Sequence, residues 1–290
     1  MRLKTVCLLL SLFSGHSRAE MPRKSVSSQP LQASLPTSSS SQWTGALEIR
    51  PSFLANSNQI YGQNYAELGV TLNAATYLGY QQMFMNNFQN SNPQFEDGPQ
   101  LALSDGFFRL QLRNLWRRGG SSLSFEPRVY LPTDENLRFQ GMISRLRLNT
   151  TFEQRFSRWF SLFVIEAPII HFYDRAGAND PGTGAPSANP EYENRVILNS
   201  QFTFSKSWSL SIPFILQSVR YSNYQIGATN NDTWSNTVLA WPELTYSVNR
   251  NLQLGLAYQT GNLISSDMSQ FTIDKGFAAG SAELVFHIGF

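Results

Sequence analysis

The chain has 290 residues with 22 basic and 20 acidic side chains, so its charge is near neutral and gives no electrostatic footprint for nucleic acid. A single cysteine, Cys7, excludes a disulfide framework. No apolar run approaches the roughly 20 residues of a membrane-spanning helix, which excludes a helical membrane bundle.

The N-terminus has the pattern of an export signal. Arg2 and Lys4 precede a short apolar core, Val6 to Phe13, and Ser17-Arg18-Ala19 is a small-x-small cleavage pattern. Residues 1–19 are therefore expected to be a signal peptide cleaved before Glu20. Cys7 lies inside it and not in lipobox position. Cleavage takes away Arg2, Lys4 and Arg18, leaving 19 basic residues (22 less three) against 20 acidic ones. Residues 20–42 are rich in Ser and Pro and poor in large apolar groups, the composition of a disordered periplasmic segment.

From Trp43 onward the hydrophobic pattern has period two. Twelve strands are expected, at 43–54, 64–73, 76–86, 105–117, 121–131, 140–153, 159–173, 191–205, 208–221, 234–248, 251–263 and 277–290. The third also fits a short helix. Connections alternate between short and long, the short ones near Ala74-Ala75, Arg118-Gly119-Gly120, Ser157-Arg158, Lys206-Ser207 and Asn249-Arg250. Residues 43–290 give about 21 residues per strand and connection for twelve strands. Sixteen strands would leave about 15 and eight about 31, so the range is roughly ten to fourteen.

Taking the more apolar parity of each strand as outward, Trp43, Trp116, Trp159 and Trp208 all point outward at the ends next to short turns. Trp234 points outward at the opposite rim. Indole prefers a membrane–water interface, so these five form a girdle. The inward parity collects charge: Glu48, Arg50, Glu67, Arg109, Arg113, Glu126, Arg128, Arg145, Arg147, Glu166, Arg195, Glu243 and Glu283. These are the candidate lumen residues. The arginines concentrate on the fourth to sixth strands, with most glutamates across the lumen. Two readings stay open, a transverse field across a water-filled pore and an ion-pair network filling a narrow barrel.

The seventh to ninth strands are apolar on both parities. In the seventh, Phe163, Ile165 and Ile169 are expected outward, with Leu162, Val164 and Ile170 inward. In the ninth, Leu210, Ile212, Phe214 and Leu216 are expected outward. Loop packing, an apolar conduit, or a wall shared with neighbouring protomers or lipid each accounts for such a wall. Pro127, Pro168, Pro213 and Pro242 fall inside strands and mark bulges or unpaired positions.

The chain ends in a strand pattern, Phe277 to Phe290, with Leu284, Phe286, Ile288 and Phe290 on one face and Ser281, Glu283 and His287 on the other. An amphipathic last strand ending in Phe, together with the signal peptide and the girdle, resembles Gram-negative outer-membrane β-barrel proteins. The resemblance covers residues 43–290 in architecture and assigns no subfamily. It implies an all-β, antiparallel transmembrane β-barrel with short periplasmic turns and long extracellular loops. It also implies outer-membrane lipid and lipopolysaccharide as surroundings, with Phe286, Ile288 and Phe290 read by the barrel-assembly machinery.

Outer-membrane phospholipases have similar strand counts and carry a His-x-Ser pair with a partner Asn. Here His171 is followed by Phe172-Tyr173 and His287 by Ile288-Gly289, so that constellation is missing. An omptin-like protease would need a His–Asp pair and an acidic pair at the rim, where Asp174 near His171 is the only hint. Two histidines in the mature chain give no zinc pattern, and no calcium-loop, GxGxxG or Walker pattern occurs, so neither metal nor cofactor is expected. The leading expectation is a non-enzymatic, porin-like passive channel for small polar solutes, with a homo-oligomer allowed. The alternative is a non-conducting barrel that organises protein or lipid.

Overall fold

The computed structural model describes residues 42–54, 60–87, 101–179, 186–222, 234–265 and 270–290. The expected signal peptide and residues 20–41 lie outside the described residues, as do parts of the long connections.

The chain forms an antiparallel sheet closed on itself. Its first half contains β1 (Gln42–Ile49), β2 (Pro51–Leu54), β3 (Ile60–Asn73), β4 (Thr76–Asn87), β5 (Leu101–Arg118), β6 (Ser121–Leu131), β7 (Met142–Arg155) and β8 (Phe160–Tyr173). A small ribbon, β9 (Gly177–Asn179) with β10 (Pro186–Ala188), stands between β8 and the next wall strand. The wall continues through β11 (Pro190–Thr203), β12 (Trp208–Tyr221), β13 (Trp234–Ala240), β14 (Glu243–Ser247), β15 (Leu252–Gln259) and β16 (Ser281–Gly289). β1 and β2 are one wall strand broken at Arg50. β13 and β14 are one broken at Trp241-Pro242. The wall therefore has 12 strands.

Each neighbouring pair runs antiparallel, and β16 closes the ring on β1 (Ala46 opposite Gly289 through Ile49 opposite Phe286) and on β2. The segment 76–86 is strand, not helix. The connection between β6 and β7 contains a short helix, α1 (Glu135–Phe139), started by Asp134, whose carboxylate accepts from the backbone N–H of Asn136 at 2.8 Å. The last strand begins at Ser281 instead of Phe277, because 273–278 forms a second short helix, α2 (Ile273–Ala278).

The short turns share one device. A small polar side chain at the turn entrance accepts backbone N–H groups two or three residues on, as Asn73, Ser157, Ser205 and Asn249 do. That interaction substitutes for ladder bonds the reversing chain cannot make. The Arg118–Ser121 turn instead uses Gly119 at φ +59°, where a Cβ would be strained.

Alternate residues on successive strands present large apolar groups to the outside, among them Leu68, Leu78, Phe108, Ile143, Leu198, Phe214, Leu256 and Leu284. A water-soluble sheet would bury such a continuous belt; in a bilayer it meets lipid. Trp43, Trp116, Trp159 and Trp208 are exposed beside the short turns, and Trp234 stands at the other rim opposite Arg220.

β8 runs in the phase opposite to the expected one. Ile169 is opposite Arg147, Ala167 is opposite Arg195, and both are buried, while Val164, Ile170 and Phe172 are exposed. Phe163 and Ile165 share the inward parity. Glu166 consequently lies on the outward face, between Thr150 and Val196. With apolar residues on both parities, β8 offers no contrast for choosing a face; its phase is set by the charged neighbours on β7 and β11. β12 has the expected phase, with Phe214 exposed and Ile215 and Val219 buried.

The prolines mark irregular wall. Pro168 sits where β7–β8 pairing lapses, between Arg147–Ile169 and Thr150–Glu166. Near Pro213 and Pro242, β12 hands over from β14 to β13, and Trp241 N–H donates to Pro213 O at 3.0 Å. Pro127 keeps its register opposite Leu148.

At the closing seam, Gly45 and Phe290 exchange backbone hydrogen bonds of 2.8 and 2.9 Å. The Phe290 ring lies where a Gly45 Cβ would be. Gly45→Val must displace that ring. The expected cost is about 1–3 kcal/mol, the usual range for overpacking, read as a lower temperature for loss of the fast-migrating folded band in gel electrophoresis. An unchanged transition would show that the seam does not need the ring.

Candidate functional site in the barrel interior

In an extended strand, residues two apart share a face roughly 6–7 Å from each other. Three strands use that spacing in the same way. Glu48-Ile49-Arg50, Glu126-Pro127-Arg128 and Glu193-Asn194-Arg195 each fold the arginine Nε back onto the glutamate carboxylate of the same strand. All three pairs point into the barrel and are largely buried. Burying either charge alone would be costly, so these pairs are what lets the interior hold so many ions.

The pairs extend into three groups. Around Arg50, which is 1% exposed, Glu48 is joined by Glu243 at 2.7 Å and Glu283 at 3.2 Å. Glu48 also accepts from Tyr65 at 2.6 Å and lies 3.3 Å from His287. On the wall from β3 to β7, Arg109 bonds Glu67 and approaches Glu126 at 3.8 Å, and Tyr77 donates to Glu67. Asn149 donates to Glu126 at 3.2 Å and accepts from Arg147 at 2.7 Å. Toward the long-loop end of the barrel, Arg145 binds Asp105 at 2.6 Å, and His171 lies 3.5 Å from Glu193.

The distribution of sign is uneven. Arg109, Arg128 and Arg147 stand directly opposite one another on β5, β6 and β7. Like charges in cross-strand register repel. With Arg113, this wall carries four arginines against the two glutamates Glu67 and Glu126. The Arg50 group carries one arginine against three glutamates. The arginine row lies near the middle of the strand order, and the Arg50 group joins β1, β14 and β16 about halfway round the ring. The third group balances itself. Polarity therefore crosses the interior even though nearly every charge has a local partner.

Aromatic rings hold the arginine heads. Arg50 lies over Trp241, Arg109 over Tyr77, Arg128 over Phe107 and Arg145 over Tyr130, with centroid distances from 3.9 to 5.5 Å. Another part of the interior is apolar. Ile197, Ile215, Leu239, Trp241, Ala257 and Val285 form one buried cluster with Ile165 against it. The inward side chains of β8, β11, β12, β13, β15 and β16 thus pack side by side along the wall.

Of the thirteen candidate lumen residues, Glu48, Arg50, Glu67, Arg109, Arg128, Glu126, Arg145, Arg147, Arg195, Glu243 and Glu283 lie in or beside these groups, and Arg113 bonds Gln111 at 2.8 Å on the same wall. Glu166 is the exception, facing outward. Sequence reasoning missed Asp105 and Glu193. Both share parity with an arginine of their own strand, Arg109 and Arg195, and that spacing was the available signal. It also missed Tyr65, Tyr77 and Trp241, because a tyrosine or tryptophan on an inward face looks like ordinary packing.

His171 is an interior residue near the long-loop end, beside a recess of about 330 Å³ lined by Tyr173, Asp174, Asn189 and Ser222. Asp174 pairs with Arg175, which holds its carboxyl below the ordinary aspartate range. His171 has its Nε2 3.5 Å from the Glu193 carboxylate. Among the described residues no cluster of histidine, cysteine or carboxylate side chains could hold a metal ion.

No family model and no curated protein sequence matches the chain. Its fold does match solved structures. It superposes on an outer membrane channel from Pseudomonas putida F1 with a TM-score of 0.58 at 12% identity, covering 86% of this chain and 95% of that one. It superposes on the NanC porin with a TM-score of 0.51 at 8% identity, covering 84% and 98%. The chain therefore has the closed 12-stranded antiparallel β-barrel fold found in porin-like outer-membrane channels.

Arg50 is the counter-ion of three carboxylates. Arg50→Met is expected to cost about 3–5 kcal/mol, the usual penalty for stranding buried charge, measured by urea titration of the folded band. Adding Glu243→Gln and Glu283→Gln should return most of it. A single variant as stable as the parent would show that the carboxylates are hydrated.

Proposed function

We propose that the protein is a porin-like channel of the Gram-negative outer membrane with a narrow lumen that passes small polar solutes and favours anions. The observation that carries this reading is the register of Arg109, Arg128 and Arg147 on three adjacent strands, halfway round the wall from the carboxylate-rich Arg50 group. Like charges in register are unfavourable for a wall that only has to be stable. For a channel they provide an attractive potential that low-dielectric walls concentrate. The porin-like fold and the outward apolar belt support the location, and outer-membrane lipid and lipopolysaccharide surround that belt. The assembly machinery reads the last strand through Phe286, Ile288 and Phe290. A second copy of the chain would dock at the outward face around Glu166, whose charge is costly against lipid.

The depth at which Arg50 and its partners are buried favours a second reading, a closed barrel that conducts nothing and serves a structural role. Single-channel recording in a planar bilayer separates the two. The channel reading expects discrete steps with chloride preferred over potassium. In Arg113→Ala with Arg147→Ala, that preference should fall by about threefold or more as two cationic sites leave a low-dielectric lumen. A silent bilayer, with gel mobility proving the protein folded, supports the closed barrel.

A further inference from the structure

Arg147 is 6% exposed, and it donates to the Asn149 amide oxygen; no carboxylate among the described residues lies within salt-bridge distance of it, and Glu193 and Glu126 attract it only from farther off. It stands in register with Arg128, a like charge. A buried cation in that position calls for an anion from outside the chain.

What lies next to it is unusual for an anion site. On its other side, Arg147 is opposite Ile169, which is 1% exposed. Along the same inward face of β8 follow Ala167 and Ile165, so the strip from Ile169 to Ile165 is apolar for about 13 Å. Ile165 then begins a lateral row, in register with Ile197 on β11, Ile215 on β12 and Leu239 on β13. Glu193 and Arg195 flank the strip on β11 as an ion pair, with His171 beside Glu193. The arginine wall and the isoleucine wall thus meet along the β7–β8 boundary, at one arginine with no carboxylate in direct contact.

We infer that this boundary binds and passes small organic anions with an apolar body, the carboxylate at Arg147 and the hydrocarbon along Ile169, Ile165 and Ile197. The inference rests on the channel reading and narrows its solute class from polar anions to amphipathic ones. A lumen for sugars or hydrated ions has no use for an isoleucine row, which would leave their hydroxyls and water shells without partners. A monocarboxylate on a hydrocarbon ring satisfies both walls at once.

Two anions test this directly. Cyclohexanecarboxylate and quinate share a six-membered ring and one carboxylate, and differ by the four hydroxyls of quinate. Reversal potentials in the planar bilayer, under gradients of each potassium salt, give their permeability ratio. The expected ratio for the parent protein is about ten in favour of cyclohexanecarboxylate, the scale on which an apolar site discriminates small changes. In Ile169→Thr with Ile197→Thr, which keep β-branching, it should fall toward unity. In Arg147→Gln both anions should lose permeability relative to potassium while their ratio persists. Steady chloride steps from the parent protein with a ratio at or below one overturn this inference and leave the channel reading standing. No steps at all from folded protein overturn the channel reading, and this inference with it. The parent ratio decides the matter even if a variant fails to fold.

Discussion

Everything in this molecule depends on a backbone that must satisfy its own hydrogen bonds where lipid offers none. A sheet in hydrocarbon cannot have a free edge, so the first wall strand must find the last. β16 therefore pairs along β1 and continues onto β2 past the break at Arg50. Where the ladder is irregular, other groups take over. Thr260 Oγ and Asn262 Oδ1 accept the N–H groups of Ala240 and Val238 beyond the end of β15. The breaks at Arg50 and Trp241 lie on the inner side of the wall, and those two side chains stack on each other.

Closure creates the second problem, an interior too small for bulk water around every charge. The protein solves it with two kinds of filling. One interlocks ion pairs with aromatic rings, around Arg50 and along β3 to β7. The other packs isoleucine, leucine, alanine and valine side chains of β11, β12, β13, β15 and β16 against one another. The ion pairs are worth little as net stability, because desolvation offsets most of the attraction. Their retention across so many strands is better understood as a distribution of charge than as a source of folding energy.

Much of this was legible in the residues. Period-two alternation, the rhythm of short and long connections, and the residue count converge on twelve strands, because each follows from the length a strand needs to cross a bilayer. Inward charge was legible wherever the outward face was clearly apolar, as at Glu126-Pro127-Arg128. It was not legible in β8, where FSLFVIEAPIIHFY has apolar groups on both parities. There the phase is decided by which neighbours carry arginine, information that lies on other strands. The helix at 273–278 hid for a similar reason: Phe277 and Ala278 continue the alternation of the last strand, and only packing of Gly276 against Leu263 and Asn262 shows that the chain has turned.

The Glu-x-Arg pairs have a consequence for how the barrel is made. Each closes between residues two apart, so it needs an extended strand but no neighbour. A strand entering the bilayer with a lone arginine would carry its desolvation cost until a partner strand docked. A strand with its glutamate already bound enters as a neutral unit. β1, β6 and β11 can therefore insert in chain order without waiting for distant partners. The contacts that span several strands, such as Arg50 to Glu243, form only when the ring closes. Charge neutrality is thus local during assembly and becomes shared at completion.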